Sequence, residues 1–153
     1  MSMSPELAEL VSGLPRSPLS DPTVLVKAGR QLGIHWPPDY VDVLRAHNGV
    51  EGDIGEWRLV LRAAEDLVEA NENEAMEFLP DLVVIGGDGG GEALALHRGT
   101  GAVILAPWVG TEDDWIVLGP TLLDALRRMH AGTVFDAPMW ADREHRPSDI
   151  HAH

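Results

Sequence analysis

Apolar residues recur at helical spacing in three places along the chain and crowd into short runs through its middle. Val24, Leu25, Ala28 and Leu32 share one side of a helix that Asp21 caps, that carries Pro22 in its first turn and that stops at Gly33. Tyr40, Val41, Val43 and Leu44 build the stripe of a second helix, which ends near His47 because Asn48 and Gly49 both accept the left-handed conformation. Leu122, Leu123, Leu126 and Met129 form the third. Thr121 is its N-cap and Asp124 holds the capping-box position; Arg127, Arg128 and His130 occupy the last turn, and Gly132 ends it. A shorter helix spans Pro5 to Val11, with Leu7, Leu10 and Val11 on one side, before Gly13, Pro15, Pro18 and Pro22 interrupt it.

Between the second and third helices the period changes. Trp57–Leu61, Leu82–Ile85, Ala93–His97 and Ala102–Leu105 are short apolar runs of strand length, and Trp115–Leu118 adds a further one. Three of them are separated only by the turns 86–91 and 98–101, and connections this short imply an antiparallel meander. Glu65 to Glu77 reads as an acidic helix or helical loop, with a thin stripe of Leu67, Val68 and Met76. Helices, then a meander, then a helix predict a single α+β domain: an antiparallel sheet packed with N-terminal helices and one C-terminal helix. Residues 1–20 are expected to form an N-terminal arm, 21–132 the domain, and 133–153 a partly disordered extension that Phe135 and Trp140 tack onto the body.

Composition narrows the function. The 153 residues suffice for one core, and the absence of cysteine excludes a disulfide framework, a thiolate nucleophile and a zinc knuckle. No apolar run reaches the ~20 residues of a membrane helix and the N-terminus lacks a signal pattern, so a soluble, cytoplasmic protein with no membrane partner is expected. Eleven basic residues against 25 acidic ones give a net charge of −14, and the only lysine is Lys27. Nucleic-acid binding is not expected of such a chain, whereas a basic protein partner would be attracted and steered. The acid is concentrated: Glu51, Asp53, Glu56, Glu65, Asp66, Glu69, Glu72, Glu74 and Glu77 face only Arg58 and Arg62, and Glu112, Asp113 and Asp114 precede Trp115. Such runs form solvated faces, and a protein-binding patch if they meet in space.

The most informative segment is Val83-Val84-Ile85-Gly86-Gly87-Asp88-Gly89-Gly90-Gly91-Glu92. A phosphate loop needs a lysine followed by serine or threonine after its glycines, and a dinucleotide fingerprint needs its glycines to open a helix. Glu92 and a strand follow here, so Asp88, Gly89, Gly90, Gly91 and Glu92 read as a structural turn. Asp88 and Glu92 are hard oxygen donors, but the loop lacks the alternating acids of an EF-hand. His35, His47, His97 and His130 have no metal-ligand spacing, the His151/His153 pair lies at the terminus, and no serine sits in a nucleophile elbow. No catalytic residue, metal or cofactor is expected. Trp108 and Trp115 flank the acidic loop, where tryptophan would anchor a partner.

The order of these motifs resembles the SUKH superfamily of Smi/Knr-like domains. Gly33-Ile34-His35-Trp36-Pro37-Pro38-Asp39-Tyr40, the helix end at Leu44 to Gly49, the turn from Ile85 to Glu92, the Ala102-Val103 strand and Gly119-Pro120-Thr121-Leu122 fall in the family's order across roughly 21–131. Trp36 replaces a usual leucine, His97 stands where aspartate is common, and Leu122 replaces an aromatic. The resemblance implies a non-catalytic, protein-binding α+β domain, in bacteria an immunity protein that neutralises a cognate toxin, often a nuclease. A basic toxin domain is then the expected partner, with Glu51, Asp53, Glu56, Glu112, Asp113, Asp114 and Trp115 as contact residues. A regulatory scaffold for a non-toxin protein is the alternative. The third is a small metal- or ligand-binding protein centred on His97, Asp88 and Glu92. The sequence leaves oligomeric state open.

Overall fold

Asp21 Oδ1 accepts hydrogen bonds from the Thr23 amide (3.0 Å) and hydroxyl (2.7 Å) and so starts α2, Pro22–Leu32, which Gly33 ends in the left-handed conformation. Ahead of it lies α1, Pro5–Leu10, capped by Ser4; after it comes α3, Pro38–Ala46, whose proline-led first turn has no side-chain cap. A computed structural model describes residues 3–72, 81–107 and 114–134. Among these residues, six strands follow α3: β1 Glu51–Ile54, β2 Trp57–Leu61, β3 Leu82–Gly87, β4 Glu92–His97, β5 Val103–Pro107 and β6 Ile116–Gly119. A 3-10 turn, Ala64–Asp66, and α4, Leu67–Ala70, sit between β2 and β3, and α5, Leu122–Ala131, closes the series behind its Thr121 cap.

The strands pair in chain order, β1-β2-β3-β4-β5-β6, every pair antiparallel. The expected α+β meander is therefore the architecture. Both faces of the sheet are buried. Val83, Ile85, Leu94, Leu96, Val103, Leu105 and Leu118 pack on the helices, while Leu82, Val84, Ala93, Ala95, Ile104, Ala106, Trp115 and Val117 form a second apolar cluster. A sheet buried on both sides has no polar alternation, which is why its strands appear in the sequence as unbroken apolar runs. Leu7, Val11 and Leu14 are buried in the helix-side core, so the segment before α2 packs with the body.

The structure departs from expectation in four places. First, β1 was not anticipated: Glu51-Gly52-Asp53-Ile54 has one large apolar side chain. Gly52 is buried because Leu14 and Pro15 lie on it, at 2.9 and 3.4 Å from where a Cβ would stand. Second, Gly86 and Gly87 belong to β3 rather than to the turn. Third, β6 begins after Trp115, one residue later than expected. Fourth, the acidic helix is short among the described residues, since 73–80 lie outside them, as do 108–113 and the extension beyond Val134.

β2 meets β3 only at Val60↔Gly87 and Leu61↔Gly86. Asn71 serves the part of β3 beyond that contact. Its Oδ1 accepts from the Val84 amide (2.7 Å), and its Nδ2 donates to the Val84 carbonyl (3.0 Å) and to Leu67 (2.8 Å). A fully buried side-chain amide thus does the work of a strand partner.

Candidate functional site: the acidic rim of the glycine turn

The glycines at the end of β3 and in the turn to β4 are placed by two different demands. A Cβ on Gly86 would stand 1.9 Å from the Val60 carbonyl oxygen, so the β2–β3 contact requires glycine there. Gly89 has φ +82°, a conformation other residues rarely adopt. Asp88 Oδ1 then closes the turn by accepting the Gly90 amide (2.8 Å) and the Glu92 amide (3.3 Å). Gly91 has open space around it and no positive φ. The segment is a hairpin corner, as its composition suggested.

Beside the corner lies a cleft of about 350 Å³. Val60, Leu61, Gly86 and Gly87 line it, and Arg62, Asp66 and Glu92 supply its charged groups. Asn48 fixes the opposite wall: its Oδ1 accepts the Ala64 amide (2.7 Å) and its Nδ2 donates to Glu65 Oε1 (3.0 Å). That bond, with the Glu65 backbone amide, holds the Glu65 carboxyl below its ordinary pKa.

The acidic candidates separate into three sets. Glu51 and Asp53, one pleat apart on β1, share Arg58 on β2 at 2.9 and 3.3 Å. The three leave a net negative charge at the surface, with Arg58 held in its charged form by its two carboxylates. The Arg58 side chain also passes 3.8 Å from where a Cβ on Gly89 would stand, which brings this group to the glycine corner. Glu92 is the second anchor of the rim. Burial raises its pKa, and Asp88 and Asp114 raise it further, so both lie near enough to act on Glu92. Glu56 stands apart, on the exposed tip of the β1–β2 hairpin beside Gly55, which backs onto His130 of α5. Glu112 and Asp113 lie outside the described residues.

Trp115 is 3% exposed and packs with Ala93, Ala106 and Val117, so its ring lies in the second core cluster and not on an open surface. His97 sits at the far end of β4 from Glu92, about 16 Å away at the rise of a strand. Its Nδ1 accepts the Gly99 amide (3.2 Å) and the Thr100 amide (3.3 Å), an arrangement that caps the β4–β5 turn. The trio of His97, Asp88 and Glu92 therefore does not converge. Among the described residues no three histidine or carboxylate groups are arranged to hold a metal, and no helix is long and apolar enough to cross a membrane.

The sequence profile of the SMI1 / KNR4 family (SUKH-1) matches residues 20–128, and the chain belongs to that family. No curated protein matches it. Membership accords with an immunity-type or protein-binding role; the family is generally non-catalytic.

Proposed function

We propose that this SUKH-1 domain is a non-catalytic immunity-type protein that neutralises a basic toxin domain by covering it with the acidic rim of the glycine turn. The contact set is Glu51, Asp53, Glu92 and Asp114, extended by Glu112 and Asp113, with Glu56 at the periphery and Trp115 supporting the rim from beneath. What supports this reading is the action of Asp88 and Asp114 on Glu92 beside the Glu51–Arg58–Asp53 group. Ionising Glu92 there costs the free protein some repulsion, and a cationic partner relieves it. A toxin that grips phosphates is basic, and a carboxylate rim offers it the same charge pattern.

The test is growth protection by co-expression with each candidate toxin found in the flanking genes, together with association kinetics on the purified pair. Reversing Glu51 and Asp53 to lysine is expected to lower the association rate about tenfold at low salt and much less at ~0.5 M, since rim charges act mainly on encounter. An association rate indifferent to salt, or protection that survives the double reversal together with Glu92→Lys, would remove the acidic rim from the mechanism.

A further inference from the structure

Charge in this chain is segregated. None of the 25 acidic side chains falls in 22–38, and none falls in 93–111. The two stretches meet in the fold: Arg98 Nη1 lies 3.5 Å from the point a Cβ on Gly33 would occupy, and the Pro37 ring lies 3.5 Å from the same point on Gly101. At this end, opposite the glycine corner along β4, a groove of about 450 Å³ runs between α2 and residues 33–36. Val26, Ile34 and Trp36 give it apolar walls, and Arg30 and His35 give it a guanidinium and an imidazole. Val26, 53% exposed, is the only large hydrophobic side chain left in the open among the described residues. Neither Arg30 nor His35 makes a salt bridge among those residues.

The wall is preformed. Trp36 Nε1 donates to the Leu25 carbonyl (2.8 Å), and a Cβ on Gly29 would stand 2.8 Å from that nitrogen, so the indole is seated directly on the α2 backbone. Tyr40 packs against the ring at 5.2 Å between centroids. A fixed aromatic wall, an exposed aliphatic side chain, the Arg30 guanidinium and the His35 imidazole make a surface with a definite complement.

We infer that this groove docks an acidic polypeptide segment of another protein, with an aliphatic or aromatic side chain set against Val26 and Trp36 and flanking carboxylates on Arg30 and His35. The overall charge does not forbid it: in physiological salt charges are screened beyond ~8 Å, so the local Arg30 outweighs the distant acidic rim. A nucleic acid fits less well, because one guanidinium neutralises few phosphates and the rest of the chain repels them. A second copy of this chain fits less well too, because its acidic rim offers no exposed large hydrophobic side chain among the described residues to fill the apolar part.

The probe is a fluorescein-labelled eight-residue peptide alternating glutamate with leucine, titrated against the full chain by anisotropy, with a lysine–leucine peptide as its counterpart. Val26→Asp and Arg30→Glu change exposed positions and leave the core intact, which circular dichroism verifies. Each is expected to weaken the acidic peptide at least about fivefold at ~50 mM salt while leaving the lysine–leucine peptide unchanged. That pattern also keeps this groove distinct from the acidic rim, which binds the opposite charge. The inference is overturned by an acidic peptide that binds both variants as well as the parent or fails to bind at about 1 mM. Self-association of the parent that Arg30→Glu abolishes would equally overturn it, by assigning the groove to a second copy.

Discussion

Tyr40 is fully buried in the helix-side core, and its hydroxyl has no hydrogen-bond partner among the described residues; burial drives its pKa far above the ordinary phenol range. The ring earns its place by packing on Trp36; the oxygen only loses water. Tyr40→Phe is therefore expected to raise the unfolding free energy by about 1 kcal/mol, measured by urea titration at neutral pH. A clear loss instead would mean that the hydroxyl has a partner inside the core. Asn71 is the opposite case. Its three bonds satisfy both polar groups of Val84 and one of Leu67, so Asn71→Ala leaves buried donors and acceptors unpaired, at a cost of about 2–4 kcal/mol in the same titration. Neither residue's role was legible in the sequence. Periodicity places Tyr40 on an apolar stripe without saying where its oxygen ends, and Asn71 sits in an acidic stretch that reads as solvated chain.

At the scale of elements, the apolar runs that became β3, β4 and β5 were legible because burial on both faces left them uninterrupted, and α2 and α5 because their caps are written in Asp21, Gly33, Thr121 and Gly132. β1 was not, because its pairing depends on Gly52 accepting the Leu14 side chain from a distant segment. Nor does a run of glycines say which of them bear the load. The distances do, and they make opposite predictions for two neighbours. Gly86→Ala drives a methyl into the Val60 backbone, so the β2–β3 junction must separate; a loss of more than about 3 kcal/mol or failure to fold is expected. Gly91→Ala meets nothing within 4 Å and keeps a negative or extended φ, so melting temperature should hold or rise slightly as the unfolded chain loses freedom. The far edge of the sheet carries a device of the same kind. Arg128 donates to the Val117 carbonyl of β6 (2.8 Å) and to Thr133 (2.9 Å) and Val134 (2.8 Å) beyond α5. One guanidinium fork thereby ties the last strand to the chain leaving the last helix, where the sequence suggested only a favourable charge at a helix end.

At the scale of the whole molecule, the fold gathers Glu51, Asp53, Asp88, Glu92 and Asp114 around the glycine corner. The placement of Glu51, Asp53, Asp88 and Asp114 around one corner follows from register and turn geometry, which the acidic runs in the sequence do not encode. Glu92 converts that placement into a pH dependence. Its folded pKa is raised, first by burial and then by Asp88 and Asp114, so its contribution to stability is fully present below its unfolded value near 4.5 and is lost as pH rises through the higher folded value. Glu92→Gln should therefore be more stable than the parent at neutral pH and should converge with it in acid. Binding must run the other way. A cationic partner at the rim favours ionised Glu92 and lowers its pKa, so complex formation releases a proton and affinity rises with pH across the free protein's Glu92 titration, then levels off. An oligolysine peptide titrated by calorimetry in two buffers of different ionisation enthalpy reads that proton directly. Glu92→Gln should abolish the part of the release assigned to this carboxyl while retaining salt-sensitive binding through Glu51 and Asp53. Release that persists unchanged in the variant would show that Glu92 lies outside the surface the cation occupies.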